Sequence, residues 1–176
     1  MSSSRVVVFL LPLAAAAFAA AFLGVEHFNG GIKTHHFLAR ADLPGFSNWL
    51  SLLILPLLGI IVAVRVNSLR SRQPSNSTTS AIAAGVAGSL AYGAALAASF
   101  HFGLEQVSLV LFAGLFLVSV ALPVYRAEYI FGFVTGMTVA FGSVIPLAFA
   151  VVFAIVSFVS RRAAVLAISV VRKLRR

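Results

Sequence analysis

Gln106–Ser160, QVSLVLFAGLFLVSVALPVYRAEYIFGFVTGMTVAFGSVIPLAFAVVFAIVSFVS, runs for 55 residues with only two charges, Arg126 and Glu128. As one helix it would reach about 80 Å at 1.5 Å per residue, against roughly 30 Å of bilayer hydrocarbon. Breakers therefore have to divide it, and how they do so decides the fold. Pro123 stands just ahead of Arg126, and Gly142-Ser143-Val144-Ile145-Pro146 turns the chain again, leaving stretches of about 106–122, 125–141 and 146–160. Each is close to the shortest length that spans a membrane as a helix.

Upstream the divisions are plainer. Val6–Val25 is twenty residues without a charge, preceded by Arg5. Arg5, the Val6–Leu13 run and Ala19-Ala20-Ala21 would also suit a secretory signal, but the length reads as a first span. A second span runs from about Ser47 to Val64 and closes with Arg65, Arg70 and Arg72, before the polar loop Gln73–Ser80. A third covers Ala81 to Phe100. Across all 176 residues, 61% are hydrophobic and 10% charged, where soluble domains run at about 45–50% and about 25%. The reading is an all-α, polytopic helical membrane protein, one integral domain over 1–176, with about six short transmembrane helices. Five spans, or four plus a re-entrant hairpin at 129–160, are the alternatives.

Charge placement orients it. Thirteen Lys and Arg against four Asp and Glu give +9, which in so apolar a chain sets topology rather than binding nucleic acid. With six spans and both termini cytoplasmic, eleven basic residues face inward and only Lys33 and Arg40 outward, whereas five spans give eight against five. That bias, with the brevity of the chain, points to a prokaryotic inner membrane. Arg161–Arg176 carries six basic residues around Ala163–Val171 and reads as a helix extension, an interfacial helix or tail whose cations snorkel into anionic headgroups and fix topology, or as a docking tail for a cytoplasmic partner.

Small residues recur every fourth position at Gly85, Ser89, Gly93 and Ala97, and again at Gly132, Gly136 and Ala140, the spacing of close helix packing within the chain or, less simply, in a homo-oligomer. Pro12 and Pro56 fall inside spans and are expected to bend them. Trp49 and Tyr125 sit where interfacial aromatics anchor.

All four histidines and three of four carboxylates lie in two segments, Glu26-His27…His35-His36…Asp42 and His101…Glu105, on the extracytoplasmic side of the favoured topology. Imidazole with carboxylate is a ligand set for zinc, copper or iron. His27 and His101 close spans one and three, where they can converge. His101 and Glu105, four apart, would stack on one face of a helix. The ligand pool is His27, His35, His36 and His101, with Glu26, Asp42 or Glu105 as ligand, orienter or base, and affinity would weaken below about pH 6. The plainer reading is that these groups gather where water is. Arg126 and Glu128, two apart, need not pair with each other. Either they are solvated in a turn, or the short span draws Glu128 below the headgroups, where ionisable groups are functional.

With no cysteine, disulfides and thiolate chemistry are excluded, and no G-x-S-x-G elbow or phosphate loop is present. Whether the chain is an enzyme stays open at this point. Three functions remain: a non-enzymatic transport or membrane-complex subunit that binds a divalent metal, a metal-dependent intramembrane hydrolase or lipid-modifying enzyme, and a haem or redox carrier. The first asks least of the residues.

Overall fold

A computed structural model describes residues 3–36, 40, 42, 44–72 and 76–174. Its elements are α1 (Ser3–Phe28), β1 (Thr34–His36), β2 (Gly45–Ser47), α2 (Ser51–Arg72), α3 (Asn76–His101), α4 (Glu105–Ala121), α5 (Ala127–Phe141) and α6 (Val144–Leu174). Four helices are long and apolar enough to cross a membrane, over Phe9–Phe28, Asn48–Ser71, Ser77–His101 and Val144–Val170. They make the chain an integral membrane protein. The 17 residues of α4 and 15 of α5 reach only about 25 and 22 Å.

Three sequence expectations need correcting. Asn76–Ser80 opens α3 instead of closing a loop, because Ser, Thr and Asn suit a helix start; Thr79 also accepts a hydrogen bond from Arg70 Nε at 3.0 Å. Residues 73–75 lie outside the described residues. α6 continues past Ser160 without a break: no Gly or Pro follows, and it runs for 31 residues, about 46 Å at the helical rise. Its stretch Ala163–Val170 is exposed, and Arg175 and Arg176 lie outside the described residues. The segment after α1 is not only loop, since β1 and β2 pair antiparallel with His35 opposite Phe46. Finally, His101 and Glu105 share no helix. Gly103, at φ +64°, breaks the chain between them, so their four-residue spacing stacks nothing.

α5 is the hub. α2, α3 and α6 pack on it, α1 packs on α2, and α4 packs on α6 and more sparingly on α3. The core gathers Leu96, Leu115, Phe131, Val134, Met137 and Phe153 around it. The α3–α5 seam is tight because both helices offer glycine. A Cβ at Gly132 would collide with Val86 O, one at Gly136 with Leu90 O, and one at Gly93 would lie 2.6 Å from Phe133 O. In lipid, where apolar surface gains nothing by hiding from hydrocarbon, such backbone approach is a main source of helix association. α1 and α2 cross similarly, with Gly59 against Pro12.

Candidate functional site

The packing gives the molecule two polar ends joined by an apolar interior. At the histidine end, the last turn of α1 presents Glu26, buried at 7% exposure. Its Oε1 accepts from Asn48 Nδ2 at 2.8 Å and its Oε2 from the Lys33 amide at 3.3 Å. Asn48 N in turn donates to Lys33 O at 3.1 Å, so the hairpin is strapped across the end of α1. Asn48 Oδ1 faces Gly142, where a Cβ would collide with it and where φ is +65°; only glycine serves there. Alongside, Ser51 Oγ donates to Ser143 Oγ at 3.1 Å, joining α2 to the start of α6.

This hairpin roofs a cavity of about 470 Å³ bordered by Thr34, His35 and His36 above and by Leu96, Phe112, Met137 and Phe149 from α3 to α6. Burial holds the His35 imidazole below its usual value, with the Glu26 charge acting against that and Lys33 with it. The neutral ring sits 6.5 Å from that of Phe141.

The other cations and acids of this end disperse. His27 and His101 are exposed, each beside the phenylalanine that follows it. Asp42 pairs with Arg40 at 2.7 Å with both side chains exposed, and this guanidinium holds the carboxyl below the usual range. Glu105 is exposed at the start of α4. Among the described residues no three His, Asp or Glu side chains form a ligand group. His35 and His36 alone share a cavity, short of the three protein ligands that catalytic zinc uses.

At the opposite end Glu128, in the first turn of α5, is buried and Arg126, its N-cap, is exposed. A solvated turn therefore describes Arg126 and not Glu128. Glu128 Oε2 contacts Arg65 Nε of α2 at 3.0 Å, with side-chain exposures of 4% and 36%. The N–H is not aligned for a hydrogen bond, so the contact is ionic. Gly85 leaves room for the carboxylate stem, 3.1 Å from where its own Cβ would be.

Above this pair lies a second cavity of about 380 Å³ between α3, α4, α5 and α6, lined by Ala84, Gly88, Val118, Leu122, Val124 and Tyr129 among others. Phe133 borders both cavities. Beside it, Phe112 meets Phe149 at 5.5 Å and Phe153 at 6.0 Å, edge to face. The two spaces are thus stacked along α5 with an aromatic waist between them. The sequence offered no means of finding Arg65, Asn48 or Phe133. Arg65 is one of many arginines, Phe133 one of sixteen Phe, and each acquires its role only from a helix distant in sequence.

Comparison of the chain with protein-family models, with curated proteins and with solved structures found no match.

Proposed function

We propose that the chain is a non-enzymatic transport module of a prokaryotic inner membrane, crossing it six times with both termini cytoplasmic, and that its route runs through the interior of α3–α6. The observation that carries this is the pair of cavities stacked on α5 and parted by Phe133, each within the range of about 300–1,000 Å³ typical of ligand sites. The six-crossing reading is supported by the alternating connections and by the burial of α5 among longer helices, which spares its short length from facing lipid. In that topology the arginine-rich end is cytoplasmic and the histidine end faces out.

Each cavity is borne by one half of the bundle, so movement of the Phe133 ring and its neighbours joins or parts them. In proteoliposomes the protein should release small apolar or amphipathic organic solutes faster than protein-free vesicles, and Phe133→Ala should release them severalfold faster again. Vesicles equally tight with both proteins contradict the reading.

A further inference from the structure

We infer that the cavity nearer the Arg65–Glu128 pair takes the alkyl chain of an anionic phospholipid, entering sideways from the bilayer between α3 and α4. This names the substrate class of the route proposed above and rests on that reading.

The walls decide the chemistry. Among the described residues, the hydroxyls lining this cavity belong to Ser89, Tyr92 and Tyr129. Ser89 donates to Gly85 O at 2.8 Å, and Tyr92 to Leu111 O at 2.5 Å. Two of the three are thus spent on backbone carbonyls, and no charged side chain among the described residues lines the space. A hydrated ion or sugar entering here would lose water contacts and gain few in return. Hydrocarbon loses nothing. The volume of about 380 Å³ holds roughly a dozen groups of water or methylene size at ~30 Å³ each, a fair length of one acyl chain.

The opening is lateral. α3 and α4 are tied at the histidine end by Ser108 Oγ donating to Ser99 Oγ at 2.8 Å, and at mid-height by Tyr92 to Leu111. Beyond Tyr92, toward the arginine end, the α3 residues that line the cavity are Ala81, Ala84, Gly85, Gly88 and Ser89, and Ala81, Ala84 and Gly88 remain exposed. α3 carries little side chain along this stretch, which faces outward within a membrane-spanning helix.

Cations mark where the headgroup lies. Leu122 and Val124 of the turn after α4 close the arginine end of the cavity. That turn is clamped to α6, with Ser157 Oγ donating to Leu122 O at 2.7 Å and Arg161 Nη2 to Ala121 O at 3.0 Å. Arg126, exposed, follows two residues after Val124. Two guanidiniums thus stand beside the turn that closes this end of the cavity, one held on Ala121 O and one two residues past Val124, and they complement a phosphodiester whose chain fills the space.

The test is native mass spectrometry of the full chain titrated with phosphatidylglycerol or phosphatidylcholine of equal chain length. One saturable phosphatidylglycerol adduct is expected. Gly88→Leu, at a position where a Cβ meets nothing within 4 Å, should fill the cleft without unfolding the protein and weaken that adduct roughly tenfold, the scale of losing a few buried methylenes. Ala84→Leu is the second such variant. Arg126→Gln with Arg161→Gln should keep binding but erase the preference between headgroups. No adduct, or equal adducts in the wild type and both filled variants, overturns the inference. Lipid binding without any transbilayer movement would leave it standing and remove the transport reading, while solute release with no lipid adduct does the reverse.

Discussion

α3 shows two faces made of the same kind of residue and meeting opposite fates. Toward α5, Ser89 and Gly93 meet Gly132, Phe133 and Gly136, and backbone touches backbone. Toward α4, Ala81, Ala84 and Gly88 meet Leu115, Val118 and Leu122, and a cavity is left. Small residues therefore permit close approach without causing it. The partner must be small in register, because two backbones close only when neither side carries bulk. α4 carries bulk, and the Tyr92 hydroxyl props it off α3, sitting 2.8 Å from where a Cβ on Gly114 would be.

The largest break in this comparison is Gly132→Leu. Its side chain would have to displace the backbone of α3, and an overpacked seam of that kind costs about 3 kcal/mol. Gly88→Leu, on the other face of the same helix, should leave the unfolding temperature unchanged. Thermal unfolding in detergent measures both, and equal losses would mean that the two faces are packed alike.

Next comes the charge pair that sits beside the tight seam. Arg65→Ala strands the buried Glu128 carboxylate and should cost about 3 kcal/mol. Glu128→Gln strands only a guanidinium that is a third exposed and can rehydrate, so about 1 kcal/mol is expected. The double variant Arg65→Met with Glu128→Gln should recover much of the Arg65→Ala loss. A double variant as unstable as Arg65→Ala would show that the two groups act independently.

A smaller effect separates the histidine end from the rest. His35 is held neutral by burial, so the unfolded chain takes up its proton at a higher pH than the folded one. Stability is full above the ordinary imidazole value of 6.5 and is lost as pH falls below it. Unfolding temperature should drop between pH 7.5 and pH 5.5, and His35→Phe should flatten that slope. An unchanged slope would place the pH response elsewhere. Smallest is Tyr92→Phe, which removes the hydrogen bond tying α3 to α4 at Leu111 O and should cost about 1 kcal/mol while speeding exchange of bound lipid.

Much of the fold was legible in the sequence because membrane helices must be apolar along their whole length. Pro123 and Gly142 marked the ends of α4 and α5 for the same reason that they end them, a missing donor at one and a left-handed backbone at the other. The two small-residue stripes were visible as well. Which one faces which was not, since only the assembled bundle brings α3 against α5. The hairpin left no trace, because strands of three residues are too short to show a period. At His101 and Glu105 the spacing suggested one helix, but Gly103 between them, at φ +64°, ends α3 before α4 begins. Glu128 was visible as a charge in an apolar run, but its partner Arg65 lies 63 positions earlier and reads locally as an orienting cation.

With no native cysteine, introduced pairs report cleanly on the spacing of α3 and α4 in liposomes. Oxidative cross-linking of Ser99→Cys with Ser108→Cys, whose oxygens now lie 2.8 Å apart, should run to completion, while Ala84→Cys with Val118→Cys, both lining the cavity, should stay unlinked. If the second pair links as fast as the first, the helices run side by side, and the lateral cleft does not exist.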